Sequence, residues 1–204
     1  MNEYVNSMKS ALETYQTKRQ NAKDALFEIE RLYGSEGARK EQERQAPQLK
    51  TARTAAENAI REAYTKGLAK AKEWGKLDGG RLTDDVKLLD AELVDADAFE
   101  AMKEAYKENS TMLTALKKYG ERQNMIAAQE RAKAGELPGA DLFNTRDIVT
   151  GADRIKEWEN LNKTAMDMLD ALDGTGAYSD SWNKSLGAAL AEETISRFGE
   201  GSVV

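Results

Sequence analysis

The chain has 204 residues, of which 40% are apolar, 32% charged and only 7% aromatic, and its net charge is -6 at neutral pH. It contains neither cysteine nor histidine, which excludes disulfides, thiolate nucleophiles and imidazole acid–base or metal chemistry and leaves carboxylate, Lys, Tyr, Ser or Thr groups. Residues 1–76 are net +4 and residues 77–204 net -10, a balance that argues against general nucleic-acid binding and suits either head-to-tail association or two solvated helix faces.

Only two prolines, Pro47 and Pro138, interrupt a sequence rich in Ala, Glu, Lys and Leu. Long helices follow, and the composition predicts an all-α protein that is roughly three quarters helix. Nothing in Met1–Ser10 looks like a basic leader ahead of an apolar stretch, and no run of about 18 apolar residues occurs. The expectation is a soluble protein of the cytoplasm.

In chain order, the first predicted helix covers about Asn2 to Tyr33. Val5, Met8, Leu12, Tyr15, Arg19, Ala22, Leu26, Ile29 and Tyr33 recur at alternating spacings of three and four, a heptad seam on a helix about 45 Å long. Arg19, the charged member, is read as lying where the partner ends. Gly34, Ser35 and Gly37 loosen the chain, and Ala38 to Gln45 reads as frayed helix or linker ahead of Pro47. A second helix from about Gln48 to Lys76 has a small inner face of Leu49, Ala52, Ala56, Ala59, Ile60, Ala63 and Gly67, continuing to Leu68, Ala71 and Trp74. Small residues let helix axes approach closely, so this helix is the natural antiparallel partner of the first.

Asp78, Gly79 and Gly80 stop that helix. The next elements are a short helix near Asp84–Leu93 and a longer one from about Ala98 to Ala134, capped by Asp97 and with a break near Asn109 and Ser110. An irregular stretch, Ala140 to Thr150, precedes a helix from Asp153 to Leu172 with Ile155, Trp158, Asn162, Ala165 and Leu169 on its seam. A last helix, about Ser181 to Phe198, carries Trp182, and the tail 199–204 is expected to be mobile. The organisation predicted is a helical hairpin arm at 1–80 and a helical bundle body at 81–198.

Chemical motifs are weak. The acids Asp90, Glu92, Asp95 and Asp97 lack the glycine of a calcium loop and read as helix caps. The pair Gly79-Gly80 and the triplet Gly174-Thr175-Gly176 follow predicted helices, not strands, and read as helix ends, not phosphate loops. Trp74, Trp158 and Trp182 fall in phase with their helices' apolar seams. No catalytic, cofactor or metal residues are expected; the candidate interaction seam is Val5, Met8, Leu12, Tyr15, Leu26, Ile29, Trp74, Trp158 and Trp182.

One stretch is distinctive: Leu82-Thr83-Asp84-Asp85, Lys87-Leu88-Leu89, Phe99-Glu100, Tyr106-Lys107-Glu108-Asn109-Ser110-Thr111-Met112-Leu113, then Leu116 and Tyr119. It resembles, over about 40 residues, an uncharacterised family of small helical proteins encoded among the structural genes of tailed phages and prophages of Gram-positive bacteria. The resemblance implies a role in particle assembly or structure, with no catalytic residues to carry over. The functional expectation is a non-enzymatic structural or assembly protein that associates with itself or with particle proteins, in the host cytoplasm or within the virion. The alternative is a cytoplasmic helical adaptor for one partner protein; a third reading is a carboxylate-based hydrolase.

Overall fold

In a computed structural model of the chain, residues 2–173 are described. Of these, 80% are helical and none lies in a strand. The fold is all-α, with a long N-terminal hairpin followed by smaller helices: α1 (Asn2–Trp74), a 3-10 turn (Gly79–Arg81), α2 (Val86–Asp90), α3 (Ala96–Ala105), α4 (Ser110–Lys133) and α5 (Gly151–Asp173).

The hairpin turns on one residue. Gly34, at φ 66° and ψ -167°, occupies a backbone region that side chains with a Cβ rarely enter. It divides α1 into an outgoing arm, residues 2–33, and a return arm, residues 35–74. Ser7, Ala11 and Thr14 of the first share a groove with Ala52, Ala55 and Ala59 of the second, and Lys18 borders Pro47, Gln48 and Thr51. The arms therefore run antiparallel. Of the two readings of Ala38–Gln45, frayed helix or linker, the structure has helix, and Pro47 is helical too. Its ring lies on the exposed side, where the missing amide bond is lost at the surface, and its carbonyl accepts the Thr51 hydroxyl at 2.9 Å.

The described residues pack as two units, residues 2–69 with 158–173 and residues 70–157. The division between these units falls inside α1 and inside α5, and the later part of α5 counts with the hairpin. In the first unit Val5, Met8, Leu12 and Tyr15 are buried with Ala52, Ala56, Ile60 and Ala63 of the return arm and Trp158, Ala165, Met168 and Leu169 of α5. Alanines hold the helices close, and Gly67 supplies the flattest place. A Cβ there would stand 2.5–2.7 Å from three atoms of the Trp158 ring, so the indole lies directly on the helix backbone. Tyr4 meets the same ring edge-on, with centroids 6.4 Å apart.

The second unit has its own core of Leu89, Val94, Phe99, Met102, Leu113, Leu116, Tyr119, Phe143 and Ile148. Phe143 stands 4.9 Å from Phe99 and 5.5 Å from Tyr119, centroid to centroid. The starts of α3, α4 and α5 are set by side-chain caps. Asp95, not Asp97, caps α3, accepting the Ala98 amide at 2.8 Å; Asp97 falls inside the first turn, where its charge complements the helix dipole. Asn109 caps α4 at the expected break. Thr150 and Asp153 form a reciprocal box at the start of α5, with Thr150 N donating to Asp153 at 2.9 Å and Asp153 N to Thr150 at 3.4 Å. The short α2 ends sooner than the sequence suggests, with Glu92 at φ 57°.

Replacing Gly67 by Ala should lower the melting temperature although Ala is the better helix former. The overpacked Trp158 contact is expected to cost about 1–3 kcal/mol, measured by denaturant unfolding against the parent chain.

Candidate functional site

The heptad seam of the outgoing arm has two regimes. Val5, Met8, Leu12 and Tyr15 are buried within the chain, whereas Ala22, Leu26 and Ile29 are only half-buried. Arg19, also half-buried, marks the change. Tyr15 is the last fully buried residue of the seam, and Asp173, the last described residue of α5, stands beside it.

A polar cluster closes the buried section. The Tyr15 hydroxyl donates to Asp173, and the Arg53 guanidinium pairs with both Asp170 and Asp173. One carboxylate thus ties α5 to both arms. Burial first, then the hydrogen bond to Asp173 and its negative charge, push the Tyr15 hydroxyl up to about 12. Sequence reasoning placed Tyr15 on the seam but missed its polar cluster, because Tyr15 and Asp173 are 158 residues apart and Arg53 and Asp170 117, and no local spacing joins them.

Past Tyr15 the hairpin exposes large apolar side chains: Phe27 is 66% exposed, Leu32 59% and Tyr33 69%. Tyr33 continues the seam, Leu32 borders it and Phe27 stands on the flank. Residues 19–45 carry six Lys/Arg and six Asp/Glu, so this distal part is neutral in a chain that is acidic overall. Of the remaining seam candidates, Trp158 is fully buried and Trp74 is partly buried against the core of the second unit. Trp182 lies outside the described residues, as do the predicted helix 181–198, the tail 199–204 and Gly174-Thr175-Gly176.

The charged groups of the second unit tie elements together. Lys103 of α3 reaches Glu100 at 2.8 Å, and Asp147 and the Asn144 carbonyl at 3.1 Å. Burial works to lower its ammonium, but the two carboxylates outweigh burial and hold it above its ordinary value. Lys117 of α4 meets Asp153 at 2.8 Å. There burial works to raise the carboxyl, and Lys117 with the two Thr150 donors keeps it low. The Thr150-x-x-Asp153 spacing was readable as a capping box; the Lys117 contact was not. Among the described residues no three acids group as metal ligands would. Asp95 serves as a cap and Glu92 pairs with Arg122 at 3.2 Å.

No family model, curated protein or solved structure matches the chain.

The raised Tyr15 hydroxyl gives a pH dependence with a definite sign. Its folded value lies above the unfolded value of about 10, so its contribution to stability is complete below pH ~10 and is lost as pH rises through ~12. Thermal melts across that window should show a falling transition temperature, and Tyr15→Phe should flatten the fall. Tyr106, raised chiefly by its bond to Asp85, and Tyr119, raised chiefly by burial, leave a residual slope.

Proposed function

We propose that the chain is a non-enzymatic structural or assembly protein whose working surface is the distal part of the hairpin. The observation that carries this reading is the change along the seam, from closed at Val5–Tyr15 to half-open at Ala22–Ile29 and exposed at Leu32 and Tyr33. Large exposed apolar groups at the end of a coiled-coil seam are positions where a further helix gains burial.

The partner proposed is a second copy. The distal part is electrically neutral, so two such ends meet without the net repulsion that two acidic surfaces would suffer. A two-fold contact also needs only one self-complementary surface. The resemblance of the 82–119 stretch to proteins of phage and prophage structural modules supports placing this association in particle assembly, in the host cytoplasm or in the virion. The second reading, an adaptor for one partner protein, draws on the same half-open seam and differs only in the occupant.

Sedimentation velocity over a broad concentration range separates the two. The self-association reading expects a reversible, concentration-dependent dimer or larger species, and Leu32→Gln with Tyr33→Gln should return it to monomer with unchanged helicity. A monomer at every concentration would remove the self-association reading and leave the adaptor.

A further inference from the structure

Arg154, in the first turns of α5, has no ion pair or hydrogen bond to its side chain among the described residues. Its guanidinium carbon lies 3.6 Å from the centroid of the Trp74 ring, stacked on the indole. Glu108 and Glu157 act on it only through longer-range attraction, and burial holds the guanidinium below its usual range. Elsewhere in this unit Lys103 has Glu100 and Asp147, Lys117 has Asp153, and Arg131 donates to the Ala140 carbonyl. A partly desolvated guanidinium without an oxyanion forgoes the pairing that normally compensates burial.

The same side chain lines a cleft of about 380 Å³, within the size range of small-ligand sites. Its walls divide by chemistry. Lys103, Lys107 and the acids Glu100, Glu104 and Asp147 line the charged part, and Leu113, Ile148 and Val149 the apolar part. Lys107 is paired with Glu104 at 2.7 Å and Lys103 with its own acids. Arg154 is therefore the cation with donors left for a ligand, and Trp74, covering one face of the guanidinium, leaves its edge for a planar, two-oxygen acceptor.

We propose that this cleft binds a carboxylate carried on a small branched apolar group, with Arg154 taking the carboxylate and Leu113, Ile148 and Val149 the apolar part. A free short-chain acid and the C-terminal residue of a peptide share that chemistry. The site is independent of the hairpin surface, and its test does not depend on association.

The experiment titrates the full chain with 3-methylbutanoate, N-acetylvaline, N-acetylvaline amide and inorganic phosphate, each at ionic strength matched with sodium chloride. The readouts are the Trp74 indole N–H and the Arg154 Nε–H resonances, with the former assigned from Trp74→Phe. Saturable shifts with at least one of the two acids, absent with the amide and at least tenfold weaker in Arg154→Gln, are expected. Saturation by 3-methylbutanoate identifies the free acid as sufficient; saturation by N-acetylvaline alone assigns the site to a peptide end. Shifts that merely track sodium chloride, that persist in Arg154→Gln, or that are tighter for phosphate overturn the proposal. Should Arg154→Gln fail to fold, Arg154→Lys, which keeps the charge and loses the planar fork, must show the weakening, and unchanged affinity there overturns it equally.

Discussion

The contact of the Trp158 indole with the backbone at Gly67 sets the geometry of the hairpin unit. With aromatics at only 7% of the chain, the core between the arms is built from Ala, Leu, Ile and Met, and burial per residue is small unless helices approach closely. Ala52, Ala56 and Ala63 provide that approach along the return arm, and Gly67 extends it to a place where a full indole fits. The largest buried side chain of the described residues is thus received by the smallest residue of the facing helix. Once Trp158 is seated, Ala165, Met168 and Leu169 fall on the same side of α5 and complete a three-helix core.

The polar cluster at the other end of α5 serves the same packing in a different way. Arg53, Asp170, Asp173 and Tyr15 fix where α5 lies along the arms, since an apolar helix face alone permits sliding and a hydrogen-bonded carboxylate does not. Beyond that level the hairpin relies on Ala22, Leu26 and Ile29 with fewer neighbours, and its apolar groups become accessible. The proposed association surface is therefore a consequence of where full burial of the seam stops. In the second unit the division of labour is similar: aromatic packing of Phe99, Tyr119 and Phe143 supplies burial, and caps with paired lysines fix helix starts.

Much of this was legible in the sequence because it rests on local rules. Heptad spacing gave the outgoing arm, the small face gave the return arm, and Gly34 marked the turn. Asn109 likewise announced the start of α4. Elements that depend on solvent exposure or distant partners were not legible. Pro47 reads as a helix breaker, yet on an exposed side the loss of one amide bond is tolerated within a long helix that packing already holds. Asp95 and Asp97 are equally good caps by residue type, and only the backbone geometry selects the first. Trp158 was recognisable as a core residue, but its docking on Gly67 needs a complementarity between helices some 90 residues apart that no periodicity encodes. The unpaired state of Arg154 is a property of what surrounds it, and its neighbours come from α1, α3, α4 and the loop before α5.

The central claim, that the hairpin is held from its Trp158 end and loosens toward its turn, is tested most directly by amide hydrogen exchange resolved along α1. Slowest exchange is expected at residues 52–67 of the return arm and 5–15 of the outgoing arm, with protection falling steadily through residues 19–33 and 35–45, at protein concentrations where the chain is monomeric. Uniform protection along both arms, or a maximum near Gly34, would contradict the account and place the stabilising contact elsewhere.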